Sequence, residues 1–210
     1  MTVPCTVTVL SVGPEQATDA IRKALQMGAD KGVHVVDDAI AGSDALATSL
    51  VLAEAIKKID HDLVICGMGS TDGAMGVVPA MLSERLGVPG LTLGSEITVE
   101  GSTVKIRRDG DASTDTVEAS APLVLSVTDQ SGEARYPSFK GIMAAKKKPV
   151  ETWSLGDLGV DAGQVGLAAA WSTVESTEAR PPRTQGQIVT DEDGSGATAL
   201  VEFLASKKFI

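Results

Sequence analysis

A short apolar run that passes into a glycine-rich loop and then a helix constrains this chain more than any other feature. The run over 63–66 has the length of a buried parallel strand, and residues 67–76 then contain four glycines. Apolar residues recur over 78–86 at the spacing of one helix face, and Gly87 ends the helix. The sequence therefore predicts a strand, a glycine loop and a helix in direct succession.

This loop has the composition of a nucleotide or phosphate site. In an open α/β sheet, ligands bind beyond the carboxyl ends of the strands, where a helix N-terminus offers free N–H groups. Glycines would let a ligand approach the main chain, and Ser70, Thr71 and Asp72 could hydrogen-bond a ribose or phosphate. An ordinary strand-to-helix turn is the alternative, because the dinucleotide, P-loop and nucleophile-elbow patterns all fail on these residues.

Strands and helices alternate in the part of the chain before this loop. The β-branched run over 6–12 leads into a helical stripe over 17–28, and a short strand over 33–36 leads into a second helix. Ser43 is placed to cap that second helix. The apolar side predicted for it consists of Leu46, Leu50, Ala53 and Ile56. This alternation predicts an α/β fold with a doubly wound, mainly parallel, Rossmann-like sheet.

The periodicity changes after Pro89. Residues 96–99 and 103–106 alternate apolar with polar side chains, which predicts an antiparallel hairpin with one solvated face. Residues 116–118 suggest a third antiparallel strand, and 123–127 returns to the pattern of a buried strand. We therefore expect an antiparallel hairpin in addition to the parallel sheet.

Composition permits one sizeable domain and excludes several classes of protein. Hydrophobic residues make up 43% of the chain but aromatic residues only 3%, so aliphatic side chains must fill the core. The net charge of −10 argues against a general nucleic-acid surface. The sequence shows no apolar stretch long enough to span a bilayer and no signal peptide, so we expect a cytoplasmic protein without membrane insertion.

The few cysteines and histidines do not predict a metal site. Cys5 and Cys66 lie singly in strand-like runs, and they are interpreted as small buried side chains. His34 is interpreted as a packed or surface histidine, because no second ligand stands at metal-binding spacing.

The segment 129–148 is the second informative stretch. It holds Tyr136, Pro137 and Phe139 in a loop that looks exposed, and it ends in the three lysines 146–148. Aromatic residues anchor interfaces and positive charge steers encounters, so one interpretation is a docking patch for an acidic partner protein. The other is a loop pinned by its aromatics with a solvated basic end.

Several segments, taken in order, resemble the beta subunit of electron-transfer flavoproteins. They are 11–14, 22–30, 67–79, 135–137 with 142–148, and 156–160. The order and spacing match over residues 6–161, and residues 162–210 resemble the C-terminal arm of that family more loosely.

The resemblance implies a heterodimer with an alpha subunit that holds the redox-active FAD. It implies AMP as a structural ligand of the beta subunit, and a second FAD in the same pocket in electron-bifurcating members. The nucleotide-binding residues implied are Val12, Gly67, Met68, Gly69, Ser70, Thr71, Asp72, Gly73, Ala74, Met75, Gly76, Val77 and Val78.

The resemblance also implies a recognition loop that inserts into acyl-CoA dehydrogenases and related dehydrogenases through one apolar anchor, here Phe139. The residues of this loop are Arg135, Tyr136, Pro137, Ser138, Phe139, Ile142 and Met143. Electrons from fatty acid beta-oxidation would then pass to a membrane quinone oxidoreductase. The sequence shows no acid, base or nucleophile constellation, so we expect an electron carrier without catalytic residues of its own.

The chain departs from the family pattern in two places. Many relatives carry glutamine- or asparagine-rich sequence in the second half of this loop, so backbone amides must hold more of the phosphate here. The residues of this chain at those positions are Ala74, Met75, Val77, Val78 and Pro79. Relatives usually have about fifty further residues before the equivalent of Thr6, including a first strand, and a sheet without a central strand would keep unpaired edges. We therefore expect open strand edges and an open pocket, and either this sequence starts inside a longer protein or it binds nucleotide weakly.

We expect a nucleotide-binding domain over 1–149 and, over 150–210, an arm that packs on the partner subunit, with a self-packed C-terminal helix as the alternative.

The alternative functions are an electron-bifurcating subunit, a stand-alone ATP- or AMP-binding regulatory protein of the stress-protein type, and a small-molecule hydrolase that uses Ser70 or Asp72.

Overall fold

The computed structural model describes residues 5–71, 73–183, 186, 188–191 and 194–210. Contacts divide the chain into two compact units, residues 1–173 and 174–210. The strands are β1 (Thr8–Val12), β2 (Lys31–Val35), β3 (Leu63–Cys66), β4 (Gly90–Gly94), β5 (Glu96–Glu100), β6 (Thr103–Asp109), β7 (Thr114–Ser120), β8 (Leu123–Val127) and β9 (Val150–Trp153). The helices are α1 (Thr18–Met27), α2 (Ala45–Lys57), α3 (Val78–Leu86), α4 (Phe139–Ala145), α5 (Leu155–Leu158), α6 (Gly166–Ala169) and α7 (Ser195–Ser206). Short 3-10 turns occupy Glu15–Ala17, Asp38–Ile40 and Ala162–Gln164.

The strands form two parallel sheets and one antiparallel sheet. The first parallel sheet has the order β1-β2-β9, and the second has the order β3-β8-β4. The antiparallel sheet has the order β5-β6-β7, with Ile106 opposite Ile97 on one side and Val117 on the other. The mixed α/β architecture, the hairpin and its third strand are thus confirmed.

Helices cover both faces of the first parallel sheet. Val9 of β1 packs with Ile21 and Leu25 of α1. Its neighbour Leu10 packs instead with the core cluster that contains Val51 of α2. Because successive side chains of a strand point to opposite faces, α1 and α2 lie on opposite sides of β1.

Both β1 and β3 are edge strands in the part of the chain that the structure describes. β1 pairs only with β2, and β3 pairs only with β8. All β1 residues are half-exposed, and Ile65 on β3 is 64% exposed. The prediction of a buried strand over 63–66 is right about the strand and wrong about Ile65, because Leu63, Val64 and Cys66 pack against core clusters and no described cluster includes Ile65.

The two cysteines differ from their interpretation as buried residues. Cys66, at the end of the edge strand β3, is half-buried. Cys5 precedes β1 and is exposed. His34 is buried on the central strand β2, where its Nδ1 lies 3.1 Å from the hydroxyl of Thr18. The interpretation of His34 as a packed histidine is confirmed.

Helix α2 begins differently from its prediction. Asp44, not Ser43, is the N-cap, and its Oδ1 accepts a hydrogen bond from the Ala47 N–H at 3.0 Å. The Ser43 hydroxyl accepts instead from the N–H of Gly166 at 2.7 Å. Ala53 and Ile56 are buried as predicted. Leu46 is exposed, because the side of α2 that meets the strands carries Ala47, Val51 and Ala55.

The first unit extends past residue 149, the expected end of the nucleotide-binding domain. Strand β9 pairs with β2 through Gly32 and Val150, and the unit ends at Thr173. The second unit contains α7, the last helix predicted from the sequence, and no residue of α7 is buried. Within the described ranges, the structure has no helix with the length and apolarity needed to cross a membrane.

Candidate functional site

A cleft of about 260 Å³ lies at the carboxyl end of β3, where the chain passes into α3. Its lining residues are Cys66, Gly67, Gly69, Ser70, Gly76, Val77, Val78 and Pro79. All of them belong to the strand-loop-helix segment that the sequence singles out. This segment therefore forms the lining of the cleft by itself. The cleft lies at the carboxyl end of a parallel strand, which is where α/β sheets bind ligands.

The loop closes through residues with positive φ. Gly76 has a φ of 65°, and a Cβ on it would lie 3.2 Å from the carbonyl oxygen of Met68. Ala74 has a φ of 51°, and its N–H donates to the Ser70 carbonyl at 3.1 Å. The left-handed conformation favours glycine, so Gly76 allows the two ends of the loop to approach each other.

Helix α3 presents its N-terminus to the cleft. The N-cap position is Val77, whose side chain has no oxygen to cap the helix, and Pro79 near the first turn has no N–H. The first N–H groups of a helix have no partner within it and carry the positive end of its dipole. No charged side chain lines the cleft among the described residues, so these N–H groups and the Ser70 hydroxyl supply its polarity.

Cys66 contributes a neutral thiol to the cleft. Burial raises the pKa of the Cys66 thiol above its ordinary value, because desolvation disfavours the thiolate. A protonated thiol is a poor nucleophile and a poor metal ligand. Across the described residues, no group of three or more His, Cys, Asp and Glu side chains is placed to hold a metal ion.

The structure gathers about half of the predicted nucleotide residues around the cleft. Those that line it are Gly67, Gly69, Ser70, Gly76, Val77 and Val78. Those that lie in the same loop with exposed positions outside the lining are Met68, Thr71, Gly73, Ala74 and Met75. Asp72 lies outside the described residues. Val12 ends β1 and packs against the core cluster around Val35, so it does not line this cleft.

Sequence reasoning missed two lining residues, Cys66 and Pro79. Both flank the glycine loop directly. Cys66 is the last residue of β3, and Pro79 stands in the first turn of α3. Their positions in the sequence could have identified them as lining residues, because ligands in this class of fold bind between the end of a strand and the start of the next helix.

A second candidate site is formed by α4 and the loop before it. The side chains of Tyr136, Phe139, Ile142 and Met143 form what we call the docking face, and Tyr136 and Phe139 are 95% and 81% exposed. The Ser138 hydroxyl accepts from the Gly141 N–H at 3.0 Å and so caps α4 at its start. Phe139, Ile142 and Met143 share one side of α4 by their spacing, and exposed apolar side chains grouped in this way are typical of interaction sites.

The other two predicted docking residues lie beside this face. Pro137 is half-buried, and the Arg135 guanidinium lies next to Gly28 at the end of α1. Lys146 and Lys147, which follow α4, are exposed and add positive charge at its C-terminal end. The predicted docking residues therefore lie in α4 and the four residues before it, and Tyr136, Phe139, Ile142 and Met143 are the large apolar ones that are exposed.

Comparisons with known proteins bear on both sites. A family profile described as "Electron transfer flavoprotein domain" matches residues 2–158, a region that includes the cleft and the docking face. The chain is 49% identical over 205 residues to a protein of Mycobacterium tuberculosis named electron transfer flavoprotein subunit beta, covering 97% of this chain and 77% of the relative. A protein of the same name from Mycobacterium leprae shows the same identity and coverage.

A more distant relative carries the same name. It comes from Clostridium acetobutylicum and is 34% identical to this chain over 204 residues. The alignment covers 97% of this chain and 79% of the relative. Since alignments with such coverage must include most of residues 174–210, the similarity extends into the second unit.

Proposed function

This chain belongs to the electron transfer flavoprotein family as a beta subunit, and we propose that it carries electrons as one half of a heterodimer whose alpha subunit holds FAD. FAD, when bound, supplies the electron-transfer chemistry. The role of this chain is to bind the AMP, to help hold the FAD of the alpha subunit, and to dock onto partner proteins. We assign it no catalytic residue, and we place the heterodimer in the cytoplasm.

We propose AMP as the ligand of the cleft. The single observation that carries this proposal is the open N-terminus of α3 facing a cleft that no charged side chain lines among the described residues. A phosphate would accept hydrogen bonds from the N–H groups of Val77 and Val78 and from the Ser70 hydroxyl. The glycines at 67, 69 and 76 would let the nucleotide approach the main chain.

We propose that two surfaces bind partner proteins. The exposed apolar residues of α7 and the segment after it, among them Leu200, Phe203 and Phe209, are suited to pack on the alpha subunit. The docking face is suited to insert Phe139 into an apolar pocket of acyl-CoA and related dehydrogenases, with the lysines after α4 steering the encounter. A membrane quinone oxidoreductase would accept the electrons.

Co-purification with an alpha subunit tests the proposal. The chain is expressed with a candidate alpha subunit, the complex is purified, and its small molecules are released by denaturation and identified by mass. We expect one FAD and one AMP per heterodimer. Two FAD molecules would favour the electron-bifurcating type, and a nucleotide-bound homodimer that ignores the alpha subunit would favour the stand-alone regulatory protein.

A pair of glycine variants tests whether the cleft holds the AMP. Gly76→Ala places a Cβ against the Met68 carbonyl. Gly87 also has a positive φ, but a Cβ on it would have no other atom within 4 Å, so Gly87→Ala is the control. We expect Gly76→Ala to lose AMP and keep FAD, and Gly87→Ala to keep both. Equal AMP content in the two variants would show that the nucleotide binds elsewhere.

A further inference from the structure

Helix α4 is too short to hold the docking face in place by itself. It has seven residues, and Ala145 is the only one of them that is buried. Helices of this length do not persist in water without tertiary contacts, because the cost of nucleation exceeds what so few hydrogen bonds return. The contacts that fix α4 must therefore come from outside the helix.

Two basic side chains, Arg22 on α1 and Lys148 after α4, connect α1 with α4 and the residues that follow it. The Arg22 Nη1, on α1, donates to the carbonyls of Ala145 and Lys148 at 3.3 and 3.2 Å. In return, the Lys148 Nζ donates to the Leu25 carbonyl at 3.1 Å and also to the Ala29 carbonyl. Arg22 thus brings a positive charge to the C-terminal end of α4, and Lys148 brings one to the C-terminal end of α1, where the helix dipole favours it.

A glycine lets the two helices come close enough for this exchange. A Cβ on Gly141 would lie 2.5 Å from the backbone carbonyl oxygen of Gln26 in α1. Gly141 and Ala145 are four residues apart and therefore share one side of α4. Phe139, Ile142 and Met143 have the spacing of another side, and all three are exposed.

We propose that Arg22, Lys148 and Gly141 are positioning residues that set where the docking face stands on the protein. This inference rests on the proposed role of Phe139 in docking. The two basic residues fix the end of α4 through charge-assisted hydrogen bonds to backbone, and Gly141 fixes its distance from α1. None of the three belongs to the exposed face itself.

The test compares Arg22→Met with Lys23→Met in the purified heterodimer. Both changes remove one positive charge from adjacent residues of α1, but Lys23 is exposed, and no hydrogen bond of its side chain is found among the described residues. Hydrogen exchange is followed at the amides of 142–148. Arg22→Met is expected to speed that exchange by about tenfold, since hydrogen bonds from a charged group are lost, while Lys23→Met leaves it unchanged.

Docking is measured on the same proteins, with Phe139→Ala as reference. The heterodimer serves as the acceptor of an acyl-CoA dehydrogenase, and its apparent KM and kcat are determined. We expect Phe139→Ala and Arg22→Met each to raise KM several-fold with kcat retained, which is the signature of lost binding. Arg22→Lys keeps a donor in reach of the carbonyls and is expected to restore part of the loss.

The outcomes separate this inference from the function it rests on. If Phe139→Ala leaves KM unchanged, the docking role fails, and the positioning role fails with it. If Phe139→Ala raises KM but Arg22→Met behaves like Lys23→Met in both measurements, the positioning role alone is overturned. The FAD content of each heterodimer checks folding, and Gly141→Ala provides a second variant that should raise KM without changing any charge.

Discussion

Cys66 is the residue at which the chemistry of the cleft can be followed directly. Its thiol lies in the lining, and burial raises its pKa. We expect alkylation of Cys66 in a Cys5→Ser background to be slow at neutral pH and to accelerate with a midpoint above the ordinary thiol pKa, because only the thiolate reacts. A bound nucleotide should slow the reaction further by covering the thiol.

The rate of alkylation against pH, measured by mass spectrometry with and without AMP, checks both points. The unfolded chain in denaturant provides the control, since its thiol is fully solvated. An alkylation midpoint at or below that of the unfolded chain would contradict the burial of Cys66. A rate that AMP does not change would contradict the placement of the nucleotide in this cleft.

At the scale of elements, Asp44 joins the start of α2 to the end of the first unit. Its Oδ1 accepts from the Ala47 N–H, and its Oδ2 accepts from the Trp171 N–H at 2.8 Å. The N–H groups of Ala47 and then Trp171 hold the pKa of Asp44 below its ordinary value. We expect Asp44→Ala to lower the free energy of unfolding by about 1 kcal/mol at neutral pH, as loss of an N-cap does.

The sign of the pH dependence follows from the lowered pKa. A carboxylate whose pKa is depressed by folding stabilises the protein above its unfolded pKa, and that contribution is lost as the pH falls through the folded value. The difference between wild type and Asp44→Ala should therefore hold above about pH 4 and shrink below it. Asp38→Ala, which removes an exposed carboxylate, is the control; an equal loss of stability in both variants, measured by denaturant unfolding, would contradict the cap.

At the scale of the whole molecule, the second unit is expected to contribute to assembly rather than to the stability of the chain alone. We expect Leu200→Asp, on α7, to weaken association with the alpha subunit by tenfold or more, because burying a leucine is worth about 1.5–3 kcal/mol. Thr198→Asp adds the same charge at an exposed polar position of the same helix and should have little effect.

Two measurements distinguish the alternatives for α7. The dissociation constant of the heterodimer reports on assembly, and thermal unfolding of the isolated chain reports on packing within it. A helix that packs on the partner gives a large change in the first and little in the second. If Leu200→Asp lowers the unfolding temperature and leaves the dissociation constant unchanged, α7 is a self-packed helix instead.

The sequence by itself determined the local elements. The strand, loop and helix over 63–86, the helix that Gly28 ends and the hairpin with its third strand all follow from periodicity and turn residues, which act between near neighbours. The same signals found the glycine loop and the exposed aromatic loop around Phe139. Most of both candidate sites was therefore predictable, because each site is contained in one short segment.

Only the tertiary structure decided which surfaces are open and which contacts cross the chain. Ser43 and Asp44 are adjacent, and both residue types are good N-caps. Asp44 caps α2, because the Ser43 hydroxyl accepts a hydrogen bond from the distant Gly166 N–H. Ile65 is exposed because no described core cluster covers its side chain, and the apolar pattern of β3 does not show which of its residues a neighbouring element covers. Arg22 meets the Ala145 carbonyl across 123 residues of sequence, a separation at which local periodicity carries no information.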